Sequence, residues 1–106
     1  MSYAIHHDVT RFGETDIYLF KEGTHARLYN HFGAHAMQRE GVDGYYFAVW
    51  APNASYVSVR GDFNEYDRES HPLKIRLDDS GIWEGFIENV AKGETYKFHI
   101  HSHNQG

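Results

Sequence analysis

Residues 44–53, GYYFAVWAPN, decide the fold. With a period of two, Tyr45, Phe47 and Val49 fall on one face and Tyr46, Ala48 and Trp50 on the other, so both faces are apolar or aromatic. This is a strand buried on both sides, and mid-strand Trp50 is expected in the core or between sheets. Pro52 has no amide N–H and forbids further ladder donation. Before the strand, EGVDG at 40–44 supplies glycines and an aspartate for a tight hairpin turn from residues 35–40.

The same period continues downstream. In SYVSVRGDFN (55–64), Val57 and Val59 alternate with Ser58 and Arg60; in PLKIRL (72–77), Leu73, Ile75 and Leu77 alternate with Lys74 and Arg76. IWEGFIE (82–88) sets Trp83 and Ile87 against Glu84 and Glu88, and TYKFHIH (95–101) sets Tyr96, Phe98 and Ile100 against Lys97, His99 and His101. Trp83, like Trp50, is expected in the core. Turn signals at DDSG and AKGE separate the last runs. The pattern predicts an all-β sandwich of about six to seven short antiparallel strands, since a parallel sheet would need crossover helices that the sequence lacks.

Upstream the period changes. Residues 1–15 begin polar, show no periodicity and read as a loose lead-in. With Thr15 or Asp16 as N-cap, DIYLFKEG places Ile17 and Phe20 one turn apart on a short helix that stops at Gly23. THARLYNHFG offers Thr24 as cap, Leu28 and Phe32 on one face, and Gly33 as stop. Residues 1–33 therefore read as a lead-in and helical docking arm, and 34–106 as the sandwich. HSHNQG at 101–106 falls where the last strand would turn into a partner, so a final strand is expected beyond it, with an exposed sheet edge if that strand is missing.

A chain of 106 residues has room for one domain. The absence of cysteine excludes disulfides, thiolate metal sites and a cysteine nucleophile. The N-terminus has no basic and apolar leader pattern, and no apolar run is long enough to span a bilayer, which gives the expectation of a soluble, unexported, cytoplasmic protein without a membrane partner. A formal net charge of -5, with ten scattered Lys and Arg residues, opposes nucleic-acid binding.

Nine histidines raise the question of a metal. His99, His101 and His103 alternate on one strand face, but without an alternating carboxylate. His6, His7, His25, His31, His35 and His71 show no ligand spacing and read as surface or hydrogen-bonded imidazoles. No metal or cofactor is expected. No nucleophile elbow or phosphate loop is present, and Ser55, Ser58, Ser70, Ser80 and Ser102 lack a triad context. Asp62, Glu65 and Asp67 form the one tight acidic group, in a loop that also holds Gly61, Asn64 and Tyr66. Such a loop can bind hydroxyl groups, although Asp62 and Asp67 read as solvated turn residues. The aromatic Tyr66 is the more telling residue of the loop. Lys97 points outward because Tyr96 and Phe98 point in.

The runs LFKEGTHARLYNHFGAH, FAVWAPNASYVSVRGDFNEYDRESHPL, SGIWEGFIENV and GETYKFHI together resemble the amino-terminal region of bacterial 1,4-α-glucan branching enzymes over about residues 19–101. The resemblance implies an immunoglobulin-like module of the family 48 carbohydrate-binding type, also found in isoamylases, debranching enzymes and a glycogen-sensing kinase subunit. It implies a non-catalytic role beside a (β/α)8 barrel that makes α-1,6 branches, with α-glucan and that barrel as partners. Where family members read GDFNGWD or GDFNNW, this chain reads GDFNEYD, with Tyr66 at the sugar-stacking tryptophan and Glu65 at the small residue. The glucan-binding set implied is Tyr66, Lys97, Asn64 and Glu65. The alternatives are a purely structural docking domain and a histidine metal-site protein.

Overall fold

The computed structural model describes residues 3–23 and 32–102. Among the described residues seven strands, all paired antiparallel, and one short α-helix follow in the order β1 (Ile5–His6), α1 (Glu14–Lys21), β2 (Gly33–Arg39), β3 (Val42–Trp50), β4 (Ala54–Gly61), β5 (Lys74–Ile75), β6 (Ile82–Glu88) and β7 (Tyr96–Ser102). One sheet runs β1-β6-β3-β2, with β5 sharing the β1 edge of β6, and the other is the β4-β7 ribbon. The two form the sandwich that the period-2 pattern predicts, of the immunoglobulin-like kind that the resemblance implies.

β3 shows why its sequence is apolar on both sides. Phe47, Tyr45 and Val49 enter the core between the sheets with Val57, Val59, Leu73, Trp83 and Ile87. Tyr46 and Ala48 face a second core with Phe12, Ile17, Ile82 and Phe86, beneath α1. The β2–β3 turn is Glu40–Gly41 at φ 52 and 82, the two left-handed residues of a type I′ hairpin. In α1, Ile17 is buried and Phe20 half-buried, one turn apart as the spacing predicts.

Several expectations change. The N-cap is Gly13, neither Thr15 nor Asp16; Asp16 instead sits in the first turn and its carboxylate accepts the Gly13 N–H at 2.9 Å. The expected helix over 24–33 lies largely outside the described residues, and Gly33, its expected stop, opens β2 at φ +89. The lead-in is not loose. β1 pairs with β6, Tyr3 and Ile5 pack on the inter-sheet core, and Val9 and Phe12 pack on the core under α1. Because this segment passes round a sheet edge and serves two cores in turn, its apolar residues follow no single period.

Trp83 is 8% exposed, as expected, but Trp50 is 55% exposed. Trp50 ends β3 at a corner where the two-turn α1 offers only the edge of Phe20, 5.6 Å between ring centres, and its indole N–H donates to the Ser80 carbonyl at 3.1 Å. Leu77 is also exposed, because the chain leaves the sheet after Ile75. Arg76 takes the inward direction, pairing with Asp78 at 2.9 Å and with buried Glu84 at 3.0 Å, and Glu84 in turn accepts the Tyr46 hydroxyl at 2.7 Å. Burial, followed by the Glu84 contact, pushes the Tyr46 phenol far above its ordinary range.

Candidate functional site

The GDFNEYD loop leaves β4 at Gly61, where the sheet has no room for a side chain. A Cβ there would lie 2.5 Å from the Thr95 carbonyl oxygen. Residues Asp62–Asn64 form a single 3-10 turn. Asp62 ties it to the start of β7 through two bonds, its N–H donating to the Thr95 carbonyl and its carboxylate accepting the Thr95 N–H, each at 3.1 Å.

Asn64 holds the loop closed from inside. Its side-chain oxygen accepts the Gly61 N–H at 2.8 Å, and its Nδ2 lies 3.0 Å from the Val59 carbonyl and 3.0 Å from Ser70 Oγ. Its amide is thus engaged within the loop, which makes Asn64 the scaffold of the predicted set and leaves the outward positions to its neighbours. Glu65 and Tyr66 follow at φ 54 and 59, two consecutive non-glycine residues in the left-handed region. That conformation costs about 1–2 kcal/mol per residue and persists where the surroundings enforce it. Here the Tyr66 N–H donates to the Gly61 carbonyl at 2.9 Å and the Asp67 N–H to the Asn64 carbonyl at 3.0 Å. A glycine or asparagine at position 65 would fit this backbone better than glutamate does.

The result is an outward corner. Glu65 is exposed and Tyr66 is 37% exposed. Lys97, also exposed, belongs to the same end of the ribbon, because the β4–β7 register sets Gly61 opposite Tyr96 and Arg60 opposite Lys97.

HPL, residues 71–73, closes the loop's far side. His71 Nε2 donates to the Tyr3 carbonyl at 2.6 Å, Ser70 Oγ lies 2.7 Å from His71 Nδ1, and Phe63 meets the His71 ring edge-on at 5.1 Å. Leu73 is buried and its N–H donates to the Val57 carbonyl at 2.8 Å. Sequence reading missed the lead-in's part in this clamp, since nothing in residues 1–15 signals that Tyr3 meets His71.

His99 and His101 lie on the outer face of β7, whereas His103 lies outside the described residues. Among the described residues no group of three His, Asp or Glu side chains is placed to hold a metal ion, and no helix is long and apolar enough to cross a membrane.

Residues 31–106 match the family described as carbohydrate-binding module 48 (isoamylase N-terminal domain). The chain is 44% identical to the 1,4-alpha-glucan branching enzyme GlgB of Cellvibrio japonicus over 108 residues, covering 98% of this chain and 14% of that protein. It is 52% identical to the Aquifex aeolicus enzyme of that name over 89 residues, 84% of this chain and 14% of the relative. With the Pseudomonas aeruginosa enzyme the identity is 50% over 91 residues, 86% of this chain and 12% of the relative. The chain thus spans about one-seventh of the length of these relatives. With the family match running over more than two-thirds of its length, on a sandwich whose GDFN loop and HPL clamp are intact, this chain belongs to the carbohydrate-binding module 48 family.

Proposed function

We propose that the chain is the non-catalytic amino-terminal module of a cytoplasmic 1,4-α-glucan branching enzyme, where it binds α-1,4-glucan chains and braces the catalytic (β/α)8 barrel during glycogen synthesis. The observation that carries the glucan contact is the left-handed Glu65–Tyr66 corner, which is pinned from within by Asn64 and presents Tyr66 beside the Lys97 end of the ribbon. A phenol ring offers a sugar the apolar face it needs, and Lys97 and Glu65 supply a donor and an acceptor for hydroxyls. Asn64 serves this site by holding the loop.

The opposite side of the molecule suits the barrel. Tyr18 and Trp50 are 64% and 55% exposed on the α1 side, across the five-stranded sheet from the ribbon, so one face takes sugar while the other docks. The purely structural alternative rests on this same docking face and dispenses with the first. Migration of the 106-residue chain through native gels with and without amylose separates the two readings. Retardation by amylose that is lost in Tyr66→Ala supports glucan binding; unchanged migration of the wild type leaves docking as the function.

A further inference from the structure

The outer face of the β4–β7 ribbon gathers positive charge that looks scattered in the sequence. Tyr56, Ser58 and Arg60 alternate on the side of β4 away from the inter-sheet core, with Ser58 fully buried under the Arg68 carbonyl, and Lys97, His99 and His101 on that side of β7; the register pairs Tyr56 with His101, Ser58 with His99 and Arg60 with Lys97. Arg68 is brought to the same face because its carbonyl accepts the Ser58 hydroxyl at 2.6 Å and the Tyr56 hydroxyl at 2.9 Å. With Tyr56, Glu69, His99 and His101 it lines an open groove of about 570 Å³. That volume suits a small ligand.

The charge is not neutralised internally. The chain carries -5 overall, yet Arg60, Arg68 and Lys97 form no ion pair with a carboxylate of the described residues, whose ion pairs belong to Arg39, Arg76 and His6. Of the nearby acids, Asp62 accepts the Thr95 N–H and Asp67 the Glu69 N–H, while Glu65 is exposed at the Lys97 end and Glu69 stands on the groove rim. Arg60 and Lys97 stand directly opposite each other, and like charges so placed destabilise a sheet. Arg60 Nε is buried with no hydrogen-bond partner, which is a further cost. An anion seated on this face relieves the repulsion between Arg60 and Lys97. His99 reports the same field, since burial first and then the Arg68 and Arg60 cations hold its imidazole below its ordinary value. Tyr56 meets His99 edge-on at 6.1 Å, adding an aromatic wall beside the cations.

We propose that this face binds a phosphate monoester carried on a sugar, with the phosphoryl oxygens on Arg60, Lys97 and Arg68 and the sugar ring beside Tyr56 and His99. Guanidinium groups suit phosphoryl oxygens because their paired N–H donors match them in geometry, and the aromatic wall suits a pyranose ring. This goes beyond neutral glucan binding at Tyr66 and does not depend on it. A phosphoryl group on a glucan chain and a free sugar phosphate present the same chemistry.

Titration of the whole chain with glucose 6-phosphate, glucose, phosphorylated maltodextrin and maltoheptaose, followed by amide chemical shifts, tests this. Glucose 6-phosphate is expected to shift Ser58, Arg60, Lys97 and His99, and glucose at equal concentration is not. Arg68→Gln and Arg60→Gln should each weaken the response roughly tenfold, with thermal melting as a check on folding, and Lys92→Gln should leave it unchanged. Tighter binding of phosphorylated maltodextrin than of glucose 6-phosphate identifies the glucan chain as the source; equal binding identifies the free ester. Tyr66→Ala should lose maltoheptaose and keep glucose 6-phosphate. The proposal is overturned if glucose 6-phosphate gives no response, if Arg60→Gln with Arg68→Gln responds like the wild type, or if Tyr66→Ala abolishes both ligands together. It is equally overturned if an oligonucleotide binds as well as the ester and both are lost at about 300 mM salt, since that is general polyanion adhesion.

Discussion

Asn64 and Gly61 are joined by a side-chain bond of 2.8 Å that closes the turn carrying Tyr66. Removing the amide in Asn64→Ala leaves the Gly61 N–H without its acceptor and frees Nδ2's partners. A loss of about 1–3 kcal/mol is expected, the usual cost of stranding a buried donor. Urea denaturation measures it, and a midpoint equal to the wild type contradicts the scaffold role.

Glu65 tests the strain in the same turn. At φ 54 a glutamate pays a steric cost that asparagine, enriched in the left-handed region, largely avoids. Glu65→Asn is expected to stabilise by about 0.5–1 kcal/mol, seen as a raised melting temperature. A lowered one contradicts that account of the loop.

The two tryptophans should respond unequally. Trp83→Ala removes an indole that is 8% exposed and whose N–H donates to the Ala51 carbonyl at 3.1 Å, so a loss of about 3–5 kcal/mol is expected. Trp50→Ala, at a 55% exposed corner, should cost about 1 kcal/mol or less. Chemical denaturation of the two variants side by side checks the difference.

Much of the fold was legible because both faces of β3 are apolar, a pattern that only a strand between two cores explains. The inward rows of β4 and β6 were equally legible. Trp50 and Leu77 were misread because alternation says which way a side chain points and not where a layer ends; Trp50 meets only the edge of Phe20 from α1, and Leu77 lies past the end of β5. Of the candidate site, the exposure of Tyr66 and Lys97 followed from loop chemistry and alternation. The inward turn of Asn64 did not, since it depends on Gly61, Val59 and Ser70 meeting around one amide. The cationic face was hidden because the register that opposes Arg60 to Lys97 is fixed by pairing across more than thirty residues, which no local pattern encodes.

His99 gives the fold a pH dependence. Its folded pKa lies below the ordinary imidazole value of about 6.5, through burial first and then Arg68, Arg60 and His101. The unfolded chain therefore binds that proton more readily, so His99's contribution lowers stability as pH falls below about 6.5 and levels off once the folded form is protonated too. His99→Gln should flatten that limb in melting curves taken at successive pH values. An identical pH profile in the variant contradicts the assignment.

The central claim is that Tyr66 lies against a glucose ring, and the direct measurement is a maltoheptaose titration of the isotope-labelled chain, wild type and Tyr66→Ala. A shallow, solvated site predicts fast-exchange shifts confined to residues 61–67 and the Lys97 end of β7, with a Kd of roughly the high micromolar to millimolar range, all lost in the variant. Wild-type spectra unmoved at millimolar sugar, or a Tyr66→Ala chain that binds equally well, contradict it.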